Sequence, residues 1–297
     1  MKTITLGDVS ISQVEEWNGL ALPVADMFPG IDRAEWDEDA HWLAPEHWSP
    51  EEDLLHISSE SWLLESAGKI ILIDTAFGNF KSRPNFPLFD QFDGPYLASL
   101  AQYGVKPDDV NLVISTHLHV DHVGWNTRLV NDEWVPTFGN ARYLMAEPDV
   151  KFWSPDHVGP RVSDHVNEGM FADSVQPIID AGLADIWNGK HVIDENLSIE
   201  LAPGHTPGTA VVSLQSGTDR ALFVGDMIHS PWQVGHGAMN SCFCEDPVRA
   251  VASRRKFLGY AADNSALVFP AHFAGDHAIE IERNTDRFAI KSWVDWK

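Results

Sequence analysis

The sequence predicts an α/β fold in one continuous domain, on three observations. Strand-like and helix-like segments alternate along the chain, no flexible linker divides it, and its chemistry-bearing residues fall where apolar strands end. Residues 3–16 alternate through Ile4, Leu6, Val9, Ile11 and Val14 around Gly7-Asp8, the pattern of a hairpin. Residues 20–53 are Pro-rich, acidic and aromatic, with Trp36, Trp42 and Trp48, and read as a loop-rich arm. A disordered segment would be poor in such large apolar groups. The arm is therefore expected to border the active site or a subunit interface, the second of which would make the protein a homodimer. Strand signals return at 54–65 and 69–74, joined at Ala67-Gly68. Residues 77–95 are irregular and rich in Phe and Pro, and a helix is expected over 95–103. Val110–Ser115 forms a short apolar strand, and 147–182 reads as helix-rich. Strands follow at 197–202, 209–215 and 220–225. Ala250, Phe257, Tyr260 and Ala261 recur at helical spacing and place a helix over 246–262. Ala266–Phe269 is the last expected strand.

Composition narrows the function. The chain has 297 residues, 44% of them hydrophobic, enough for a sizeable core. It holds no apolar run of 18 residues and its start lacks a signal-peptide pattern, so a cytoplasmic protein without membrane contact is expected. A net charge of −24 repels phosphate backbones and argues against nucleic acid as a partner. A small-molecule substrate is expected instead. Cys242 and Cys244 sit in a C-x-C pair, poorly suited to an intrachain disulfide, and read as reduced, packed thiols.

The strongest signal is Thr116-His117-Leu118-His119-Val120-Asp121-His122, directly after an apolar strand. Imidazole and carboxylate suit Zn²⁺, Mn²⁺ or Fe²⁺. A loop leaving a strand can turn His117 and His119 one way and Asp121 and His122 the other, an arrangement for two adjacent cations. Three more strand ends repeat the context: His205 in Pro203-Gly204-His205-Thr206-Pro207-Gly208, Asp226 after Leu222–Gly225, and His272 after Leu267–Ala271. Singly, each has a bland reading, as a turn His or a capping Asp. Together they supply five His and two Asp.

This motif order resembles that of the metallo-β-lactamase superfamily, from about Leu54 to His272. The resemblance implies an αββα sandwich, two mixed sheets face to face with helices outside, as a single domain over 1–297. It implies His117, His119 and His205 as ligands of a first metal and Asp121, His122 and His272 of a second, with Asp226 bridging. The expected cofactor is two divalent ions, Zn²⁺ first, with Mn²⁺, Fe²⁺ or Co²⁺ as alternatives. A hydroxide shared by such a pair attacks a carbonyl or phosphoryl centre, with Asp121 or Asp226 accepting a proton. The sequence is similar to the lactone hydrolases of the superfamily in size and motif, but carries His229 where those have a Tyr three residues after the bridging Asp. In its G-D-x-x-H pattern it resembles the aryl phosphotriester hydrolases. His229 is read as a contact to the substrate oxygen or a hydrogen-bonded turn residue. Phe86, Phe89, Trp125 and Trp232 are candidates for an apolar pocket wall. The expected activity is hydrolysis of a lactone or other carboxylic ester with an apolar or aromatic part. A phosphotriester hydrolase is the alternative. An iron redox or non-catalytic metal-binding protein is the alternative of another class.

Overall fold

Alternation along the strands decides the layers. In the strand Leu54–Ser66, Leu63 faces one way and Trp62 and Leu64 the other; in Lys69–Ile73, Leu72 opposes Ile71 and Ile73. The computed structural model describes residues 2–296. Trp62, Leu64, Ile71, Ile73, Ile114 and Leu144 of one sheet share a core with Ile199, Val212, Leu214 and Phe223 of another, so the two sheets pack face to face. On the outer face of the first sheet Leu63, Leu72, Val113 and Tyr143 meet Tyr96, Leu100, Trp153 and Ile178 from helical segments. On the outer face of the second, Val211, Leu222 and Val268 meet Phe257, Leu258 and Ala261 of the helix Pro247–Asn264. Four layers result, helix, sheet, sheet, helix.

The first sheet runs Thr3–Leu6, Val9–Pro23, Leu54–Ser66, Lys69–Ile73, Leu112–Ile114, Arg142–Ala146 and Ala184–Trp187, with Trp48–Ser49 paired onto Leu54–Ser66. The second runs Lys190–Val192, Leu197–Leu201, Ala210–Ser216, Asp219–Gly225, Leu267–Pro270, Ile279–Asn284 and Arg287–Trp293. Lys69–Ile73, Leu112–Ile114 and Arg142–Ala146 pair in parallel, as do Asp219–Gly225 and Leu267–Pro270. Their carboxyl ends gather at one rim, where an α/β sheet collects its site.

Several elements differ from the sequence expectation. The strand Val9–Pro23 extends well past residue 16 because it pairs with Leu54–Ser66 along nearly its whole length, and tertiary pairing outweighs its polar composition. The arm is more regular than a loop: Val24–Met27 and Arg33–Leu43 are helical, the latter capped by Asp32 accepting from Ala34 N. Its Trp36, Trp48, Met27 and Phe28 pack with Trp232 in a core of their own. Residues 147–182 are helical only at Glu147–Trp153 and Phe171–Asp180, with an irregular loop between. The hairpin Thr127–Val130 and Glu133–Pro136 and the strands Ile279–Asn284 and Arg287–Trp293 carry mixed polar sequences with exposed faces, which hid them from a hydrophobic pattern.

Candidate metal centre

Each donor hangs from a strand end. Leu112–Ile114 leads to His117 and His119, after which Val120–Val123 winds one helical turn that swings Asp121 and His122 to the other side. Gly225, at φ +50°, ends its strand on Asp226; a Cβ there would come within 2.5 Å of Thr116 Oγ1, so only glycine lets the two strand ends meet. Leu267–Pro270 delivers His272.

The donors converge in two groups. His117 Nε2 and His205 Nε2 lie 3.1 and 3.0 Å from His119 Nδ1, and Asp226 Oδ2 lies 3.8 Å from His117 and 3.4 Å from His205. Across Asp226, Oδ1 is 3.1 Å from His122 Nε2 and 3.0 Å from His272 Nε2, while Asp121 approaches these two at 3.7 and 3.4 Å. One carboxylate thus presents an oxygen to each group. Three imidazole nitrogens facing one another cannot all be hydrogen-bonded, and His122 Nε2 and Asp226 Oδ1 have no aligned partner despite their burial. Ligands roughly 2.0–2.1 Å from a tetrahedral zinc stand about 3.3 Å apart, the spacing seen here. The residues present fit a divalent ion in each group.

The outer ring nitrogens are braced. His122 Nδ1 meets Asp74 Oδ2 at 2.9 Å, and His272 Nδ1 meets the Ser58 carbonyl at 2.8 Å. His117 Nδ1 lies 3.1 Å from Thr116 Oγ1, which donates to Asp74 at 2.8 Å. His119 Nε2 lies 3.1 Å from Ser163 Oγ, which donates to Glu245 at 2.7 Å. His205 Nδ1 has the Cys244 thiol at 3.9 Å. Such partners fix the tautomer that turns a lone pair inward. Asp149, fully buried, accepts from Leu118 N, Thr206 Oγ1 and Gly208 N at 2.9, 2.8 and 2.5 Å, tying the His117–His122 turn to the His205 turn. A Cβ on Gly208 would stand 2.7 Å from Asp149.

Burial holds the imidazoles of His117 and His205 well below their ordinary pKa and that of His119 at about 4, so each presents a lone pair at neutral pH. Burial also pulls on His122 and His272, but Asp226 and Asp121 outweigh it and raise His272 to about 9 and His122 well above its usual range. Burial alone would raise Asp226; His272, His122 and His229 outweigh it and hold this carboxylate ionised.

A narrow cavity opens onto Asp121, Asp226, His229 and His272. Trp17, Leu22, Met27, Phe77, Phe86, Phe89 and Phe243 form its apolar wall, with Ser58, Ser59, Val166 and Asn167 beside them. No Lys or Arg is among the described residues lining it. His229 is buried, its Nε2 3.2 Å from Asp226 Oδ2 without aligned hydrogen bonds at either nitrogen. Two pocket expectations fail. Trp125 stacks on Tyr96 and donates to Glu16 at 2.6 Å, because the turn Gly124–Asn126 points it into the core. Trp232 stacks on His236 and packs with Trp36 under the arm, walling a separate groove. The sequence reading missed Asp74, Asp149, Ser163, Glu245 and Glu16. Only Asp74, just past the strand Lys69–Ile73, carried a signal of the kind used for Asp226.

The chain belongs to the metallo-β-lactamase superfamily: the match to that family spans residues 57–272. Among its relatives is the N-acyl homoserine lactonase AiiB of Agrobacterium fabrum, 25% identical over 274 residues, covering 83% of this chain and 90% of the relative. The lactonase of the same name from Rhizobium rhizogenes is 24% identical over the same shares. Among solved structures, AidC, a dizinc quorum-quenching lactonase in complex with the product N-hexanoyl-L-homoserine, superposes with a TM-score of 0.79 at 22% identity, covering 99% of this chain and 98% of that one. The hydrolase AbOPH of the β-lactamase superfamily superposes at 0.83 with 20% identity, covering 100% and 98%. These structural likenesses speak for the αββα fold. Among the described residues, no helix is long and apolar enough to cross a membrane.

Proposed function

We propose that this protein is a metal-dependent hydrolase that opens lactones or related carboxylic esters carrying an apolar group. The observation that carries the reading is the juxtaposition of the seven-donor cluster with a cavity wall that is apolar and, among the described residues, holds no Lys or Arg. Such a wall suits a neutral, greasy ester and brings no side-chain cation to an anionic group away from the donor cluster. The lactonase names among the relatives point the same way.

Two divalent ions, zinc first, would be held by His117, His119, His205 and Asp226 and by Asp121, His122, His272 and Asp226, and would supply a water acidified toward neutrality and an electrophile for the carbonyl. The chain's own residues do the rest. Phe86, Phe89, Leu22 and Met27 hold the acyl or ring portion and exclude water. Asp121, the most exposed of the donors, faces the cavity and takes the proton of the attacking water. It returns that proton to the ring oxygen as the carbonyl carbon–oxygen bond breaks, leaving a hydroxy acid. His229 contacts the substrate oxygen from the wall beside Asp226. The test is a panel of lactones, aryl esters and aryl phosphotriesters on enzyme of measured metal content. We expect two metal equivalents and the highest kcat/KM on lactones, rising with acyl length. Turnover in protein that reproducibly lacks metal, or a flat series led by phosphotriesters, overturns the assignment.

A further inference from the structure

The loop 154–169 carries two kinds of residue. Val166 and Asn167 line the cavity, and Asn167 Nδ2 donates to the Leu118 carbonyl, between the donors His117 and His119, at 3.0 Å. Ser163, three residues earlier, lies against His119. One carboxylate holds this loop down: Glu245 accepts from Val162 N at 2.7 Å, from Ser163 N at 2.9 Å and from Ser163 Oγ at 2.7 Å. Glu245 also donates its own N–H to the His205 carbonyl at 2.9 Å. It therefore touches the backbone of one donor and, through Ser163, the ring of another.

Hydrogen-bond direction completes the argument. His119 turns Nδ1 toward His117 and His205, so that nitrogen offers a lone pair and Nε2 keeps the proton. Nε2–H donates to Ser163 Oγ, and Ser163 passes its own hydrogen to Glu245. A hydrogen bond ending on an ionised acceptor is shorter and stronger than a neutral one. The order carboxylate, hydroxyl, imidazole is that of Asp74, Thr116 and His117. The difference is that Glu245 and Ser163 belong to surface segments rather than strand ends.

We propose that Ser163 and Glu245 are positioning residues for His119, and that through them closure of the loop 154–169 and cation binding at the His117, His119 and His205 group are one coupled equilibrium. This rests on reading the cluster as a metal centre. An open loop frees His119 to rotate and weakens that group; a bound cation fixes His119 and with it Ser163, Glu245 and the cavity wall.

The experiment uses the zinc-loaded full chain, with competition against a chromophoric chelator and trypsin digestion as readouts. Arg161 gives trypsin a site inside the loop, but its side chain is tied to the Phe152 and Ser154 carbonyls and the next peptide N–H to Glu245. Cutting there requires the loop to open. We expect Ser163→Ala and Glu245→Gln to weaken one of two zinc equivalents roughly 10–100-fold and leave the other near wild type. Ser163→Thr, which keeps the hydroxyl, should restore it. Cleavage at Arg161 should be slow in the zinc-loaded wild type. Chelation should speed it, and Glu245→Gln should speed it even with zinc present, while far-UV circular dichroism stays native. Unchanged zinc affinity in Ser163→Ala, equal weakening of both equivalents, or cleavage indifferent to zinc overturns the coupling. A wild-type protein that binds no metal overturns the metal reading itself, a separate result.

Discussion

The two sides of the cavity are built differently. On the donor side, seven side chains come from strand ends and the turns that follow them, and the outer nitrogens of the five imidazoles meet a carboxylate, a hydroxyl, a carbonyl or a thiol within the fold. On the opposite side, the wall comes from segments far apart in sequence: the end of the long strand and the arm with Leu22 and Met27, the loop with Phe77, Phe86 and Phe89, the loop with Val166, and Phe243. The donor side is over-determined by hydrogen bonds of fixed direction. The wall is held mainly by apolar contact, which is not directional and tolerates exchange of shape. On the proposed reading, reaction type belongs to the first side and substrate choice to the second.

The sharpest way to break this contrast is at Asp226. Asp226→Ala removes an oxygen from both groups, so both metal equivalents should be lost in elemental analysis and activity should fall to background. His229→Ala removes only a wall contact, and should cost roughly 10–100-fold with metal content intact. Equal losses at equal metal content would erase the distinction between the two sides.

Asp149 tests whether the donor side depends on its staple. Asp149→Ala leaves Leu118 N and Gly208 N buried without an acceptor, and Thr206 Oγ1 with Thr209 Oγ1 alone at 2.9 Å. Each buried N–H so orphaned costs about 1–3 kcal/mol, so urea unfolding should show the variant about 2–6 kcal/mol less stable. A deficit below about 1 kcal/mol would mean that the two turns hold their places unaided.

Glu16 lies beneath the wall, accepting from Phe77 N and Gly78 N at 2.8 and 3.0 Å with no cation bonded to it. Burial lifts its carboxyl from 4.5 to about 7. Between those pH values the folded protein keeps a proton that the unfolded chain has released, so stability declines as pH rises through that window. The full cost, at most about 3 kcal/mol, is present above pH 7. Glu16→Gln removes the titration, so its stability relative to wild type should improve from pH 5 to pH 8. A difference that does not change with pH would show that Glu16 ionises freely in the fold.

The smallest expected effect is on the wall itself. Phe86 is half-buried and lines the cavity, whereas Phe89 is buried and stacks on Phe77 with ring centroids 3.5 Å apart. Phe86→Ala should lower kcat/KM for long-chain lactones by about 1–3 kcal/mol while sparing short ones and leaving stability little changed. Phe89→Ala should cost about 3–5 kcal/mol of stability. Loss of short and long substrates alike in Phe86→Ala would mean that the wall does not select.

The same contrast explains what the sequence disclosed. Donor residues were legible because an apolar run followed by His or Asp marks a strand end, and Thr116–His122, Asp226 and His272 all have that form. The helix Pro247–Asn264 was legible from its spacing. Trp125 and Trp232 misled because nearness to a motif in sequence says nothing of direction, and one turn of 3₁₀ helix sends Trp125 toward Glu16. Ser163, Glu245 and Asp149 were invisible because a lone hydroxyl or carboxylate gains meaning only from a partner 31 to 82 residues away. The strands 279–284 and 287–293 lacked a periodic apolar face to announce them.

A wall without a cation also shapes how a turnover ends. On the proposed reading, opening a neutral lactone would create a carboxylate, and away from the donor cluster none of the described residues lining the cavity is a Lys or Arg that could offer it a counter-charge. Outside, the chain carries a net −24. On the proposed reading a neutral substrate would enter without electrostatic help, whereas the acidic surface would favour departure of an anionic product. Added salt screens that exposed charge over about 8 Å at physiological strength, so it should weaken the repulsion an anionic product meets at the mouth of the cavity while leaving a neutral substrate unaffected.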